Sequence, residues 1–473
     1  MLFNSLDFAV FLPIVFLCYW FVFKKTIKLQ NIWLLVCSYF FYGWWDWRFL
    51  FLIFFSTVID YTVGLLLGKL QSQRIRKRLL MLSIVSNVGI LMFFKYFNFF
   101  SENFITAFSY LGKDFSPITI IILLPIGISF YTFQTLSYTI DVYRKKTPPT
   151  SNFVVFATFV SFFPQLVIGP IERAYHMLPQ LSSKREFNKD QSIIGIKQII
   201  WGLFKKIVIA DSCAQYVNAI FEHYNSASSL TLIIGAIYFT FQVYADFSGY
   251  SDMAIGTARL FGFNLMPNFK YPYFEKNIAG FWRHWHISLM SWFRDYVYIP
   301  LGGNRASISK VIRNIFIVFL LSGLWHGANW TFIIFGAYHG LLYAVYYLKK
   351  HFIKKTFFNS TNSVIEMFQR IHLFFWITLG MVIFRSPSLE VAYGYIIAMF
   401  QFNFSLEILE IGRYSFEMLP LILLFVFMEW FNQKKEFPIC SNEYEYVKVS
   451  FLIALILFFG SFSNAQDFIY FKF

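Results

Sequence analysis

Charge is scarce in this sequence. Only 14% of its 473 residues are Asp, Glu, Lys or Arg, against 58% that are hydrophobic, which is too little charge to hydrate the surface of a water-soluble chain of this length. Cysteine is scarcer still. Cys18, Cys37, Cys213 and Cys440 are scattered with no close pair, so neither zinc chelation nor a dithiol redox motif is expected. No glycine-rich phosphate loop, paired-carboxylate signature or metal-ligand cluster occurs, and phosphoryl transfer and metal-dependent hydrolysis lack positive support. No positive run precedes the first apolar stretch; Lys24, Lys25 and Lys28 follow it, so a retained first span is expected in place of a cleaved signal peptide.

Aromatic residues, by contrast, are abundant. The chain has 65 Phe, 29 Tyr and 13 Trp, an aromatic fraction of 23%, and its mean hydropathy is +0.55. This composition suits lipid-facing helices with amphipathic rings at their ends. The formal charge of +15 sits in short Lys and Arg clusters between apolar runs. Such clusters set membrane topology and attract anions; they form no continuous basic face of the kind a nucleic acid needs.

Apolar runs fall near residues 8–23, 31–45, 49–68, 79–94, 118–138, 153–168, 230–244, 311–325, 330–348, 371–384, 418–431 and 449–462. Most approach the roughly 20 residues that cross a hydrocarbon core, and lipid leaves helices as the plausible form because it offers no partner to loose backbone groups. The expected fold is therefore all-α, a polytopic transmembrane helical bundle of about 10–12 spans. Pro164 and Pro170 interrupt the stretch after Phe153, and Lys184, Arg185, Lys205 and Lys206 take no obvious side, so re-entrant or interfacial helices are expected there. Residues 1–473 read as one domain, because no repeat or linker occurs and the polar segment Thr356–Asn362 is too short to be one.

Basic clusters follow the first, third and fifth runs: Lys24 to Lys28; Lys69 with Arg74, Arg76, Lys77 and Arg78; and Arg144 to Lys146. Alternation then puts the N-terminus outside. A longer basic stretch containing Arg259, Lys270, Lys276, Arg283, Arg294, Arg305, Lys310 and Arg313 precedes one helical pair, and Lys349, Lys350, Lys354 and Lys355 follow it. Both flanks read as cytoplasmic, so runs 311–325 and 330–348 form a hairpin whose tip, His326-Gly327-Ala328-Asn329, points away from the cytoplasm. An arm of 15 residues spans about 22 Å, short of the ~30 Å hydrocarbon core, which places His326 at depth. A titratable group there faces a cavity or a partner, and a neutral imidazole can take a proton from a hydroxyl.

A second imidazole lies in Phe281-Trp282-Arg283-His284-Trp285-His286-Ile287-Ser288-Leu289. Trp282, His286, Leu289 and Phe293 share a face if this stretch is one interfacial helix. Anchoring explains the aromatics and arginines; it does not require His286 on the buried face. His339 is a third candidate, better read as packing. Asp60, Asp246 and Asp252 stand in or beside apolar runs, and each is free to pair with a basic group that the sequence does not identify.

Several segments in order carry a resemblance: Leu124 to Tyr131, Phe163 to Ile171, Tyr244-Ala245-Asp246-Phe247-Ser248-Gly249-Tyr250-Ser251-Asp252, Trp282 to Tyr298, Ser322-Gly323-Leu324-Trp325-His326-Gly327-Ala328-Asn329-Trp330, and Phe468-Ile469-Tyr470-Phe471. Through them the chain resembles the membrane-bound O-acyltransferases of the alginate O-acetyltransferase type. The resemblance implies a bacterial inner-membrane enzyme with a central tunnel, the family histidine on His326 and the second characteristic polar position on His286. Relatives of that type include peptidoglycan and cellulose O-acetyltransferases and the D-alanyl transferase of teichoic acid. Such proteins pass the acyl group to an exported or periplasmic acetyltransferase partner.

Acetyl-CoA is the expected donor, its phosphates gathered by the basic cytoplasmic loops; an acyl carrier protein is the alternative. His286 near the cytoplasmic face and His326 deeper would flank the passage that the acyl group takes. His326 is expected to act as general base and His286 to orient the thioester or stabilise its developing charge, with the reverse assignment and an acetyl-imidazole intermediate both open. Interrupted helices and buried polar groups also suit a transporter of a lipid-linked sugar, the competing reading from another class.

Overall fold

The computed structural model describes all residues except 113–119, 121, 353–362, 404–417, 441–443, 463–465, 467 and 470–473. The start of the 118–138 run, Lys354 and Lys355, the segment Thr356–Asn362, and Tyr470 and Phe471 lie outside the described residues. Within them the fold is all-helical, with no strand. Among the described residues, six helices are long and apolar enough to cross a membrane: Phe49–Lys69, Gln73–Ser109, Ser229–Leu260, Ile308–His326, Trp330–Phe352 and Ser363–Arg385. Three more apolar helices, Leu6–Val22, Leu389–Met399 and Met418–Trp430, are shorter. The chain is a multi-pass membrane protein. Its contacts group into two compact units, Met1–Gly195 with Ala254–Met266, and Ile196–Met253 with Pro267–Phe473.

In the first unit three helix starts are set by local caps. Ser5, Thr26 and Asn152 accept hydrogen bonds from the amides of Phe8, Leu29 and Val155, each at 3.2 Å, as N-cap side chains do. The run 153–168 splits into Phe153–Ser161 and Phe163–Leu166, because Phe162, two residues before Pro164, leaves helical geometry with ψ 109°. The Ser38 hydroxyl accepts from the Phe163 amide at 3.0 Å, which satisfies a backbone group at the break.

Three helices of this unit share one polar knot. Asp60 on Phe49–Lys69 is fully buried and accepts from Ser83, from Asn87 Nδ2 at 2.8 Å and from Thr139 at 3.0 Å. Asn87 Oδ1 accepts in turn from Ser56 at 2.6 Å. Asp60 is thus held by hydroxyl and amide groups in place of the basic partner allowed by sequence. Arg76, grouped by sequence among the topology-setting residues, is itself 5% exposed. It donates to the carbonyls of Leu70 at 3.3 Å and Tyr143 at 2.8 Å, answering the unpaired oxygens at two helix C-termini.

In the second unit the long helix Ser229–Leu260 passes so near Lys189–Leu203 that a Cβ on Gly202 would stand 2.5 Å from the Gly249 carbonyl oxygen. Only glycine permits that approach. Three and four residues beyond Gly202, Lys205 reaches Asp252 at 2.5 Å and Ser248 at 2.8 Å, and Lys206 reaches Asp211 at 2.7 Å and Asp246 at 2.9 Å. The two lysines with no evident side in the sequence are 2% and 0% exposed, and they neutralise two of the three singled-out aspartates. The Tyr244-to-Asp252 motif therefore belongs to a helix interior.

Replacing Asn87 with Leu removes a donor to Asp60 and the acceptor of Ser56, at an expected cost of about 1–3 kcal/mol. Thermal unfolding of the detergent-purified chain should shift downward; an unchanged transition would contradict the knot's role.

Candidate active site

The hairpin predicted from the basic flanks is present, with helices Ile308–His326 and Trp330–Phe352 and the tip between them. Gly323 and Gly336 let the arms touch: a Cβ on either would lie 2.2 or 2.3 Å from a carbonyl oxygen of the other helix, at Phe332 and Phe319. The first arm has 19 residues instead of 15, about 28 Å of helix. That length nearly matches the hydrocarbon thickness, so the depth of His326 no longer follows from a short arm. Ser307-Ile308-Ser309-Lys310 forms the cap and first turn that polarity alone hid.

The second imidazole is held differently from expectation. Residues 278–293 form two short helices, Ile278–His284 and Ile287–Phe293, so Trp282, His286, Leu289 and Phe293 do not lie on one continuous face. The break is at His286, whose φ of 44° and ψ of 56° are left-handed, a conformation that costs a residue with a bulky side chain. An adjacent strap holds it: the Ile287 amide donates to Asn268 O at 2.8 Å, Ser288 Oγ to Asn268 Oδ1 at 2.7 Å, and the Lys270 amide to His284 O at 3.0 Å. Asn268 is 1% exposed and nothing in the sequence marked it.

The arrangement brings His286 and His326 to the same indole. The Trp325 ring centroid is 5.5 Å from His286 and 5.2 Å from His326. The two imidazoles thus share Trp325 as a common neighbour. His284 lies apart: it is partly exposed and its Nδ1 is 2.7 Å from Glu275. His339 stands one ring further on, 4.5 Å from Phe335 and 5.0 Å from Trp282, with neither nitrogen hydrogen-bonded among the described residues.

Aromatic walls enclose the pair. Phe247 meets His286 edge-on at 4.6 Å, and Phe384 and Phe335 stand 5.3 and 6.0 Å from His326. All three are buried. Behind Phe247 the C-terminal segment docks, with Phe468 at 5.7 Å, the Ile469 amide donating to Asp246 at 2.9 Å, and Lys206 donating to Gln466 O at 3.0 Å. Glu429, hidden in a run that otherwise reads as apolar, is buried and accepts from Tyr244 at 2.9 and 3.0 Å.

Burial, with a smaller contribution from the nearby His326 charge, holds the His286 imidazole well below its ordinary pKa. It is therefore neutral at pH 7, the form that can accept a proton. The sign for stability follows from linkage: below pH 6.5 the unfolded chain protonates this histidine while the folded one resists, so folding is weakened as pH falls. His286→Asn, which tolerates the left-handed backbone, should flatten the loss of thermal stability between pH 7.5 and about 5.5; an equally steep loss in the variant would contradict that burial.

Residues 16–385 match the membrane-bound O-acyltransferase family. The chain is 39% identical to a probable alginate O-acetylase of Pseudomonas aeruginosa, over 92% of this chain and 82% of that one. It is 37% identical to a peptidoglycan O-acetyltransferase of Helicobacter pylori, over 83% and 78% of the two chains. A teichoic acid D-alanyltransferase of Bacillus subtilis is 29% identical over 55% of this chain and 68% of its own length.

Proposed function

Since the chain belongs to the membrane-bound O-acyltransferase family, we propose that it takes an acetyl group from a thioester on the cytoplasmic side of a bacterial inner membrane and delivers it to a hydroxyl beyond. The observation that carries this reading is the pairing of two buried imidazoles on one indole, His286–Trp325–His326, inside aromatic walls. Acetyl is favoured over D-alanyl because the likeness to the O-acetylases covers most of the chain and the likeness to the D-alanyltransferase about half.

In this reading residues 1–473 work as one catalytic domain with access through the bundle from both sides. Acetyl-CoA is the donor substrate. His326 takes the proton of the acceptor hydroxyl as its oxygen attacks the thioester carbonyl; the C–S bond breaks and CoA leaves as the thiol, taking up that proton. His326 stands in the last turn of the 308–326 helix, where the helix dipole favours the imidazolium that forms. Neutral His286 donates a hydrogen bond to the carbonyl oxygen as negative charge develops there. The apolar walls keep water from hydrolysing the thioester. The acceptor is an exported or periplasmic acetyltransferase partner that modifies an envelope or extracellular polysaccharide.

His326→Ala should lower acetyl transfer by about 10²–10⁴-fold, the usual worth of a general base, while the protein stays in the membrane fraction. Full polymer acetylation by that variant would rule out the assignment.

A further inference from the structure

The first unit contains a cleft of about 350 Å³, remote in sequence from both histidines, with Phe16, Trp20, Phe21 and Phe187 on its walls and Lys24 and Arg185 among its lining residues. Its basic group is unusual. Arg185 is only 9% exposed, and its hydrogen-bond acceptors are neutral: the carbonyls of Gln180 at 3.1 Å and Leu181 at 3.2 Å, Asn31 Oδ1 at 2.7 Å and Gln30 Oε1 at 3.4 Å. Its guanidinium lies 5.0 Å from the Phe263 ring and 5.9 Å from that of Tyr19. Its Nε–H is buried with no hydrogen-bond partner among the described residues.

A buried cation with an unused donor is costly unless an anion completes it. Glu186 also lines the cleft, but its carboxylate pairs with Lys184 at 2.8 Å, both side chains more than three-quarters exposed. Lys24 adds a second positive charge, in the cluster that marks a cytoplasmic flank. The walls ask for something apolar beside that anion: Phe21 and Phe187 are 67% and 54% exposed, and Trp20 is anchored through its indole N–H to Leu260 O at 2.9 Å.

We propose that this cleft binds an anionic phospholipid of the cytoplasmic leaflet, its phosphate beside the Arg185 and Lys24 side chains and an acyl chain along Phe21 and Phe187. A free phosphate would leave the aromatic walls in water, and a zwitterionic lipid would bring its own headgroup cation beside the two basic side chains. The site is separate from acyl transfer and does not depend on the reading given above.

The test places a photoreactive benzoylphenylalanine at position 187 of the full chain in nanodiscs of equimolar phosphatidylglycerol and phosphatidylcholine, and identifies the lipid adducts by mass. Phosphatidylglycerol adducts should exceed phosphatidylcholine adducts by at least about fivefold, the expected worth of one basic charge at a membrane surface. Lys24→Glu, a change at an exposed position, should bring the ratio close to one, and millimolar inorganic phosphate should leave it unchanged. Equal adducts in the parent protein, a preference that survives Lys24→Glu, or competition by inorganic phosphate would each overturn the proposal.

Discussion

A bilayer interior supplies no hydrogen-bond partner, so a polar group this chain carries into its bundle is costly unless it is answered from within the protein. The structure meets that demand locally and repeatedly. Asp60 is held by Ser83, Asn87 and Thr139, Arg76 by helix-end carbonyls, and Lys205 and Lys206 by Asp252, Asp211 and Asp246. Close helix approach is the precondition in the second unit. Where Gly202 meets Gly249, two backbones touch and short carboxylates can reach lysines one turn away. A larger residue would part the helices and leave those charges in an apolar medium.

The same constraint gives the candidate site its character. Gly323 and Gly336 clamp the hairpin and fix its tip, while the Asn268 strap holds His286 in a strained left-handed turn. Two separate devices thus bring two imidazoles to Trp325. Strain at such a position persists only where the surroundings over-determine it. Burial then keeps His286 neutral, so the feature that makes it costly to fold also leaves it able to exchange hydrogen bonds with a reacting group. The docking of Phe468 behind Phe247 ties the end of the chain to the wall of the site.

Much of this architecture was legible in sequence. Most of the apolar runs became helices, and the His326–Asn329 tip was readable because polar and glycine residues interrupt an otherwise continuous apolar stretch. The break at His286 was not readable. Trp282, His286, Leu289 and Phe293 keep helical spacing, and the turn is imposed by Asn268, eighteen residues earlier. Lys205, Lys206 and their acids lie up to forty-seven residues apart, so no local pattern joins them. Glu429 was lost in the hydrophobicity of its neighbours. The arm outruns its apolar stretch because Ile308 to Lys310 looks like loop by polarity yet forms the first turn of the helix.

In the proposed function the paired imidazoles serve a thioester-dependent transfer and not the passage of a solute. The most direct measurement is CoA release from acetyl-CoA by the purified chain in sealed vesicles, with and without the exported acceptor on the opposite side. Free CoA should appear in step with ester formed, and none above background without the acceptor. Movement of a sugar-linked lipid across the vesicle with acetyl-CoA left intact would contradict that function.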